Sequence, residues 1–471
     1  MHGRGLGRMP TARLSRRQVL SGGAIGLGLL GLGGGIAAGI AEAGHPDPVR
    51  SVTVAYTKSG RRKGLGVDEA RDLPASSRVM PDVDDSGPAR RQQDFLDGCA
   101  PWLATLPAQR REAAVSALLD LWVLSDELPA TLAGGVGPWR YIWARDAAFA
   151  AVAFARIGFA EYGWKQLLYL QSLQASDGSF AARVIPETGL APDDRQSQFD
   201  ALGLVLWAVT EVHSAPSANG ESFALAELRS LLHRTSERLF DHTGHGHSLP
   251  PAGPDYWEVV ESRVTLGLAA PTLVGLDALS GLCAAEPELW DHLGGGVDGV
   301  LGTAQAFAET FARTFGANGL QRYPTSGGPD SAIAYLSLSG AGARDVSAAS
   351  AAGQGKRAKP PVLEAPMLAG AWERLEQPAG GIKPGHGWII DRSSWTPSTS
   401  LMGLGFARLG DVERAEAVLD WLSANRTVVG SFPEKVSADG EPVSVAPLSW
   451  TAANVIITLD ELYGPSRCDD G

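Results

Sequence analysis

The sequence predicts an all-α protein built from stacked helical hairpins. Apolar residues recur at helical spacing from about residue 91 almost to the end of the chain, and period-two alternation is scarce. One hairpin-sized pattern occurs twice, 252 residues apart. Hydrophobic residues make up 44% of 471, which is enough for a large core.

Residues 1–43 read as an export signal that precedes the fold. Arg4, Arg8, Arg13, Arg16 and Arg17 form a basic leader. A weakly apolar, Gly-rich run follows from Gly22 to Ala41, and Ala41-Glu42-Ala43 is a small-x-small cleavage site. Ser15-Arg16-Arg17-Gln18-Val19-Leu20 resembles the bacterial twin-arginine motif, with Val19 where that motif usually has Phe. Transient contact with that export machinery and a secreted or cell-envelope location are therefore expected. An uncleaved run would be about long enough to anchor in a bilayer.

Residues 44–90 are rich in Pro, Gly, Asp and Arg and are expected to form an extended or loop-rich lead-in. The helical domain is expected over 91–465. Its periodic segments are Arg110–Leu124, Asp146–Ile157, Tyr162–Leu173, Phe199–Val212, Phe223–Phe240, Leu266–Leu282, Val300–Phe315, Leu363–Leu375, Ser400–Leu409, Ala415–Leu422 and Ala452–Leu462. Leu338–Pro361 is rich in Ala, Gly, Ser and Lys and reads as a surface loop.

The internal repeat sets Phe154-Ala155-Arg156-Ile157-Gly158 against Phe406-Ala407-Arg408-Leu409-Gly410. At the same offset Glu161, Leu167 and Leu170 match Glu413, Leu419 and Leu422, and Gly178-Ser179-Phe180 matches Gly430-Ser431-Phe432. A helical hairpin cannot bury its apolar face alone, so such units stack. Stacked hairpins form an open solenoid or a closed ring. About twelve helices make six hairpins, the number that closes an (α/α)6 toroid.

A net charge of −12 argues against nucleic acid, which calls for excess Lys and Arg. Cys99, Cys283 and Cys468 show no metal-ligand spacing, and His242, His245 and His247 lie in a Gly-rich loop without HExxH geometry. No metal site is expected. One disulfide plus a thiol and three buried thiols are both open, and the sequence sets no oligomeric state.

Three clusters carry candidate chemistry. Arg145-Asp146 opens a helix just after Trp139, Tyr141 and Trp143. Aromatic rings beside a paired donor and acceptor suit a sugar, whose C–H faces stack while its hydroxyls hydrogen-bond. Asp255-Tyr256-Trp257-Glu258 puts a carboxyl beside a Trp in a loop, where an apolar setting favours a general acid. Ser431-Phe432-Pro433-Glu434 places a carboxyl on the repeated Gly-Ser-Phe loop, where the first copy has Ala182, and Trp450 follows. Two loop carboxylates among tryptophans are the parts for glycosidic cleavage. In an inverting pair one protonates the leaving oxygen, and the other activates water across a gap of roughly 6.5–9.5 Å.

Over about residues 105–463 the chain resembles glycoside hydrolase family 15, the glucoamylases with their glucodextranase and trehalase relatives. Tyr141–Ala148 resembles the family's Trp-x-Arg-Asp segment, Gln198-Phe199-Asp200 its Gln-x-Asp segment, and Trp257-Glu258 its general-acid Trp-Glu. Phe432-Pro433-Glu434 with Pro447–Trp450 resembles the general-base loop, and Trp395–Thr399 is also similar to a family segment. The resemblance implies the closed (α/α)6 toroid, Glu258 as acid, Glu434 as base, inversion, and an oligosaccharide or polysaccharide substrate attacked from its non-reducing end. It also implies that Trp139, Tyr141, Trp143, Arg145, Asp146, Gln198, Asp200, Trp257, Arg322, Trp395 and Trp450 bind substrate, with no metal or organic cofactor. Val259 stands where the family has a second Glu, and Trp139 where it often has Tyr. A sugar-binding toroid without catalysis and an enzyme acting on trehalose or α-1,6-glucan stay open as alternatives.

Overall fold

The computed structural model describes residues 48–464 apart from 84–85, 217–219, 221–222, 292, 294 and 341–362. The expected export signal, Cys468 and most of the expected 338–361 loop lie outside the described residues. Twelve α-helices occur among those described: α1 (Ser86–Thr105), α2 (Ala108–Ser125), α3 (Ala144–Arg156), α4 (Ala160–Leu173), α5 (Asp200–His213), α6 (Arg229–His242), α7 (Leu266–Ala285), α8 (Gly296–Thr314), α9 (Ala365–Leu375), α10 (Thr396–Arg408), α11 (Val412–Ala424) and α12 (Ser449–Tyr463).

These helices close a ring. In the inner circle α3 packs on α5, α5 on α7, α7 on the 3₁₀ segment Ser331–Leu338, that segment on α10, α10 on α12, and α12 back on α3. Outside, α4 covers α3, α6 covers α5, α8 covers α7, α9 covers the 3₁₀ segment, α11 covers α10 and α2 covers α12. The fold is the all-α (α/α)6 toroid that the sequence predicts. Burial follows the same division: α5 and α12 are buried on nearly every face, as helices must be between a core and an outer layer.

Three local features differ from the sequence reading. The fourth inner element, Ser331–Leu338, has all eight residues buried and so shows no one-sided apolar stripe for periodicity to detect. Helix α1 starts at Ser86, inside the expected lead-in, because Pro88 sits in the first turn, where a missing N–H costs nothing. The lead-in also holds an antiparallel hairpin, β1 (Thr53–Tyr56) with β2 (Arg62–Leu65). Val52, Ala55, Leu65, Ala70 and Leu73 from this region form a small core with Val429.

The repeat corresponds to the hairpins α3–α4 and α10–α11. Gly158 and Gly410 follow α3 and α10 with φ of 92° and 78°, the left-handed stop that favours Gly. Inner helices α5 and α7 approach very closely: a Cβ on Gly203 would lie 1.8 Å from the Pro271 carbonyl oxygen. Backbone cannot retreat there without separating the two helices. Gly203→Ala is therefore expected to cost about 1–3 kcal/mol of stability, read from the midpoint of urea unfolding.

Cys99 and Cys283 are buried free thiols, and burial pushes each up to about 12. His242 packs edge-on against Phe199 and His245 tilts against Phe240. No group of three metal-ligating side chains occurs among the described residues.

Candidate active site

The site forms at one end of the ring, where the loops that precede the inner helices meet. Residues just before or at the starts of α3, α7, α10 and α12 line one cavity with about 670 Å³ of open space. Its wall includes Trp139, Trp143, Arg145, Asp146, Trp257, Glu258, Trp388, Trp395, Glu434 and Trp450. Helix starts also carry unpaired N–H groups and partial positive charge, which favours carboxylates in this region.

Glu258 sits on a tight turn with φ 56°, strained for a residue with a side chain. Its N–H donates to the Asp255 carbonyl at 2.8 Å, and the Trp257 N–H donates to Asp255 Oδ1 at 3.0 Å. Asp255 is in turn anchored by the Thr265 hydroxyl and the Arg322 guanidinium, both at 2.7 Å. The turn thus aims Glu258 at the cavity from a buried hub. Its carboxylate lies 3.5 Å from Arg145 Nη2 and accepts from Arg195 Nη1 at 3.1 Å. Two arginines thus face this carboxylate, where the sequence reading expected an apolar setting from Trp257; the Trp257 ring packs instead on Arg322 and Trp388.

Glu434 comes from the loop between α11 and α12. A three-stranded sheet of β3 (Ser394–Trp395), β4 (Lys435–Val436) and β5 (Pro442–Val443) sets its position beside α10, and its carbonyl accepts the Thr396 N–H at 3.0 Å. Trp139 Nε1 donates to Glu434 Oε1 at 3.0 Å and the Ser444 hydroxyl donates to Oε2 at 2.5 Å. The indole N–H of Trp139 thus supplies a donor to this carboxylate, so the loss of a Tyr hydroxyl at that position does not remove one. A carboxylate has about four lone-pair sites, so a water can still bind between these donors and the cavity.

Arg145-Asp146 lines the same cavity. Arg145 donates to Gln198 at 3.0 Å and to Asp200 at 3.4 Å, lies 3.1 Å from Asp146, and sits over the Trp450 ring at 5.0 Å. Burial pushes Asp146 up to about 6, with Arg145 pulling the other way. Burial likewise pushes Asp200 up to about 7 against the pull of Arg145. The indole N–H groups of Trp143, Trp257, Trp388 and Trp450, all on the cavity wall, have no acceptor among the described residues. Buried donors around a cavity are normally satisfied, so such orphans call for a polar ligand.

Of the residues expected to bind substrate, Trp139, Trp143, Arg145, Asp146, Trp257, Trp395 and Trp450 line the cavity together with Glu258 and Glu434. Tyr141, Gln198, Asp200 and Arg322 do not. Gln198 and Asp200 sit behind Arg145 and hold it. Arg322 lies behind Trp257, its guanidinium 3.7 Å from that ring, with Asp255, Asp330 and Glu261 as ion-pair partners. Tyr141 lies under Arg183, whose guanidinium is 4.3 Å from the ring. Short motifs report which residues cluster, not which layer each occupies. Sequence reasoning missed Trp388, which packs edge-on between Trp257 and Trp395, and also Arg195 and Ser444. An isolated Trp, Arg or Ser in a loop carries no local pattern that would single it out.

No protein-family model matches this sequence, and no curated protein does. Solved structures do. A wild-type glycosidase superimposes with a TM-score of 0.57 at 18% identity, over 77% of this chain and 98% of that one. One of its variants was solved in complex with glucose. A bacterial glucoamylase complexed with acarbose gives 0.56 at 14% identity, over 85% of this chain and 62% of that chain. A glucoamylase from Saccharomycopsis fibuligera gives 0.56 at 12% identity, over 77% and 95%. The chain therefore has the (α/α)6 fold of the glucoamylases and of the glycosidases that resemble them.

Proposed function

We propose that this chain is an inverting, exo-acting glycoside hydrolase that releases glucose from the non-reducing end of α-glucosides, with Glu258 as general acid and Glu434 as general base. The observation that carries this reading is the cavity itself. Two carboxylates, each fixed by its own loop, border one tryptophan-walled space that also contains a buried Arg-Asp pair. The likeness in fold to glycosidases and glucoamylases supports it. We further propose that export through the twin-arginine route delivers the enzyme outside the cytoplasm.

In this mechanism the sugar stacks against the tryptophans and its hydroxyls meet Arg145, Asp146 and the orphan indole N–H groups. Glu258, in its protonated form, passes its proton to the glycosidic oxygen and takes up another from solvent after turnover. The C1–O bond breaks with oxocarbenium character at C1. Water held by Glu434 attacks C1 from the opposite face and gives its proton to Glu434. The released sugar carries the inverted configuration at C1.

The panel that tests this reading is glucose release from maltotriose, isomaltotriose, trehalose and soluble starch by the purified, folded chain. Release from one or more of them is expected and names the linkage. Silence across the panel would remove the glucosidase assignment.

A pH dependence follows from Asp146. Above about 6 its carboxylate is ionised and accepts two sugar hydroxyls; below, the protonated form loses an acceptor site. KM is therefore expected to be about tenfold higher at pH 5 than at pH 7, the ratio of ionised fractions for a group titrating near 6. Initial rates over substrate concentration at each pH, with Asp146→Asn as the pH-insensitive control, check this.

A further inference from the structure

Resting on the role proposed for Glu434, we infer that the N-terminal lead-in is a working part of the active site: residues Arg50–Thr53 position the base through Ser444 and Ser431. The two segments that frame Glu434, residues 427–433 and 444–448, bond to each other, with the Glu434 N–H on the Val445 carbonyl at 2.8 Å and the Leu448 N–H on the Phe432 carbonyl at 3.0 Å. The lead-in adds bonds to both.

On one side, Arg50 N–H donates to the Ser444 carbonyl at 2.7 Å. The Ala446 N–H donates to the Ser51 carbonyl at 3.1 Å, and the Ser51 hydroxyl donates to the Ala446 carbonyl at 2.8 Å. These bonds hold Ser444 at φ 71°, a left-handed conformation that a serine rarely keeps unaided. In that conformation its hydroxyl meets Glu434 Oε2. On the other side, the Thr427 hydroxyl donates to the Val52 carbonyl at 2.7 Å, and Thr53 and Ser431 share a hydroxyl–hydroxyl bond of 2.7 Å.

A buried ion pair completes the clamp. Arg78 of the lead-in and Asp120 of α2 are fully buried, with Nη2 2.9 Å from Oδ1. Asp120 accepts from the Ser431 hydroxyl at 2.7 Å and from the Phe432 N–H at 2.8 Å, two residues before Glu434. Arg78 also donates to the Val429 carbonyl at 3.4 Å. The base is therefore oriented from outside the ring, by chain that precedes the first helix. Ser444 and Ser51 are positioning residues: neither is placed against the sugar, and both act through Glu434.

The test uses α-D-glucosyl fluoride, whose leaving group departs without a proton from Glu258 and so isolates the base step. Ser444→Gly removes the hydroxyl and relieves the left-handed strain, so it is expected to fold fully. Its kcat is expected to fall by about 10–100-fold with KM within twofold, the scale of a misplaced catalytic group. Ser51→Ala, remote from the carboxylate, is expected to lower kcat by about 3–10-fold with KM unchanged, a smaller misplacement of the same kind. Each variant must show one thermal transition of full amplitude, so that an unfolded fraction does not imitate the loss. Wild-type kcat in both variants would overturn the positioning role if Glu434→Gln, run beside them, is inactive. A fully active Glu434→Gln would instead overturn the assignment of the base.

Discussion

Glu434→Gln is expected to lower kcat for α-glucoside hydrolysis by about 10²–10⁴-fold while leaving KM within a few-fold of wild type. The substitution keeps shape and removes charge. Its amide must satisfy both Trp139 Nε1 and the Ser444 hydroxyl, which now donate to the two carboxylate oxygens. An indole N–H only donates, so the amide oxygen stays on Trp139; the serine hydroxyl rotates to accept the amide NH₂. The side chain thus keeps its place and the fold is expected to survive, while no base remains to take the proton of the attacking water. Glu258→Gln is expected to fall in the same range on substrates with a sugar leaving group, and by much less on α-D-glucosyl fluoride. Steady-state rates on both substrates check the two roles separately. Full activity of Glu258→Gln on its glycosidic substrate would contradict the acid assignment.

The largest effect on stability is expected at the opposite end of the ring. The C-terminal ends of α3, α5, α10 and α12 converge there on Glu211. Arg156 and Arg408, which occupy equivalent positions in the two repeats, both donate to its carboxylate, Arg408 at 3.2 Å, and Trp207 Nε1 adds a bond of 3.0 Å. Asp460 takes the other arm of Arg156 at 3.2 Å. Burial alone would push Glu211 up, but Arg156 and Arg408 together outweigh it and hold the group at about 2. Relative to an ordinary carboxyl near 4.5, that shift corresponds to about 3 kcal/mol of stability near neutral pH. The contribution is fully present above pH 4.5 and is lost as pH falls through about 2, because the unfolded chain takes up the proton first. Glu211→Gln leaves two partly buried guanidinium groups short of charge and is expected to cost about 3 kcal/mol at pH 7. Urea unfolding at pH 7 and again at low pH checks it, with the gap between wild type and variant narrowing as pH drops. Activity of the folded variant is expected to be near wild type, since this cluster lies away from the cavity.

Much of this architecture is legible in the sequence, for physical reasons that particular residues show. The Phe-Ala-Arg-x-Gly repeat is visible because one hairpin solution is used twice: an inner helix, a left-handed Gly, and an Arg that reaches the central Glu211. The outer helices show a stripe because one face meets water. The inner 3₁₀ segment at Ser331–Leu338 shows none, being buried all round, and so it escapes a search for periodicity. At the site, residues joined by local motifs are recoverable: Arg145-Asp146, Trp257-Glu258 and Glu434 all reach the cavity. Depth is not recoverable, which is why Gln198, Asp200 and Arg322 turn out to brace the wall and Tyr141 lies beneath Arg183. Nor are contacts that span the chain. Ser51 meets Ala446 across 395 positions and Arg195 meets Glu258 across 63. Nothing in the sequence near either partner announces the other. The Pro, Gly, Asp and Arg of the lead-in hid a hairpin whose contacts with the site come from such distant partners.

The measurement that tests the central claim most directly is the anomer of glucose first released, followed by proton NMR before mutarotation equilibrates the product. With Glu258 as acid and water activated by Glu434, the proposed mechanism predicts β-glucose from an α-glucoside. Initial release of α-glucose would mean retention through a covalent intermediate, and would contradict Glu258 as the acid and Glu434 as the base of an inverting pair.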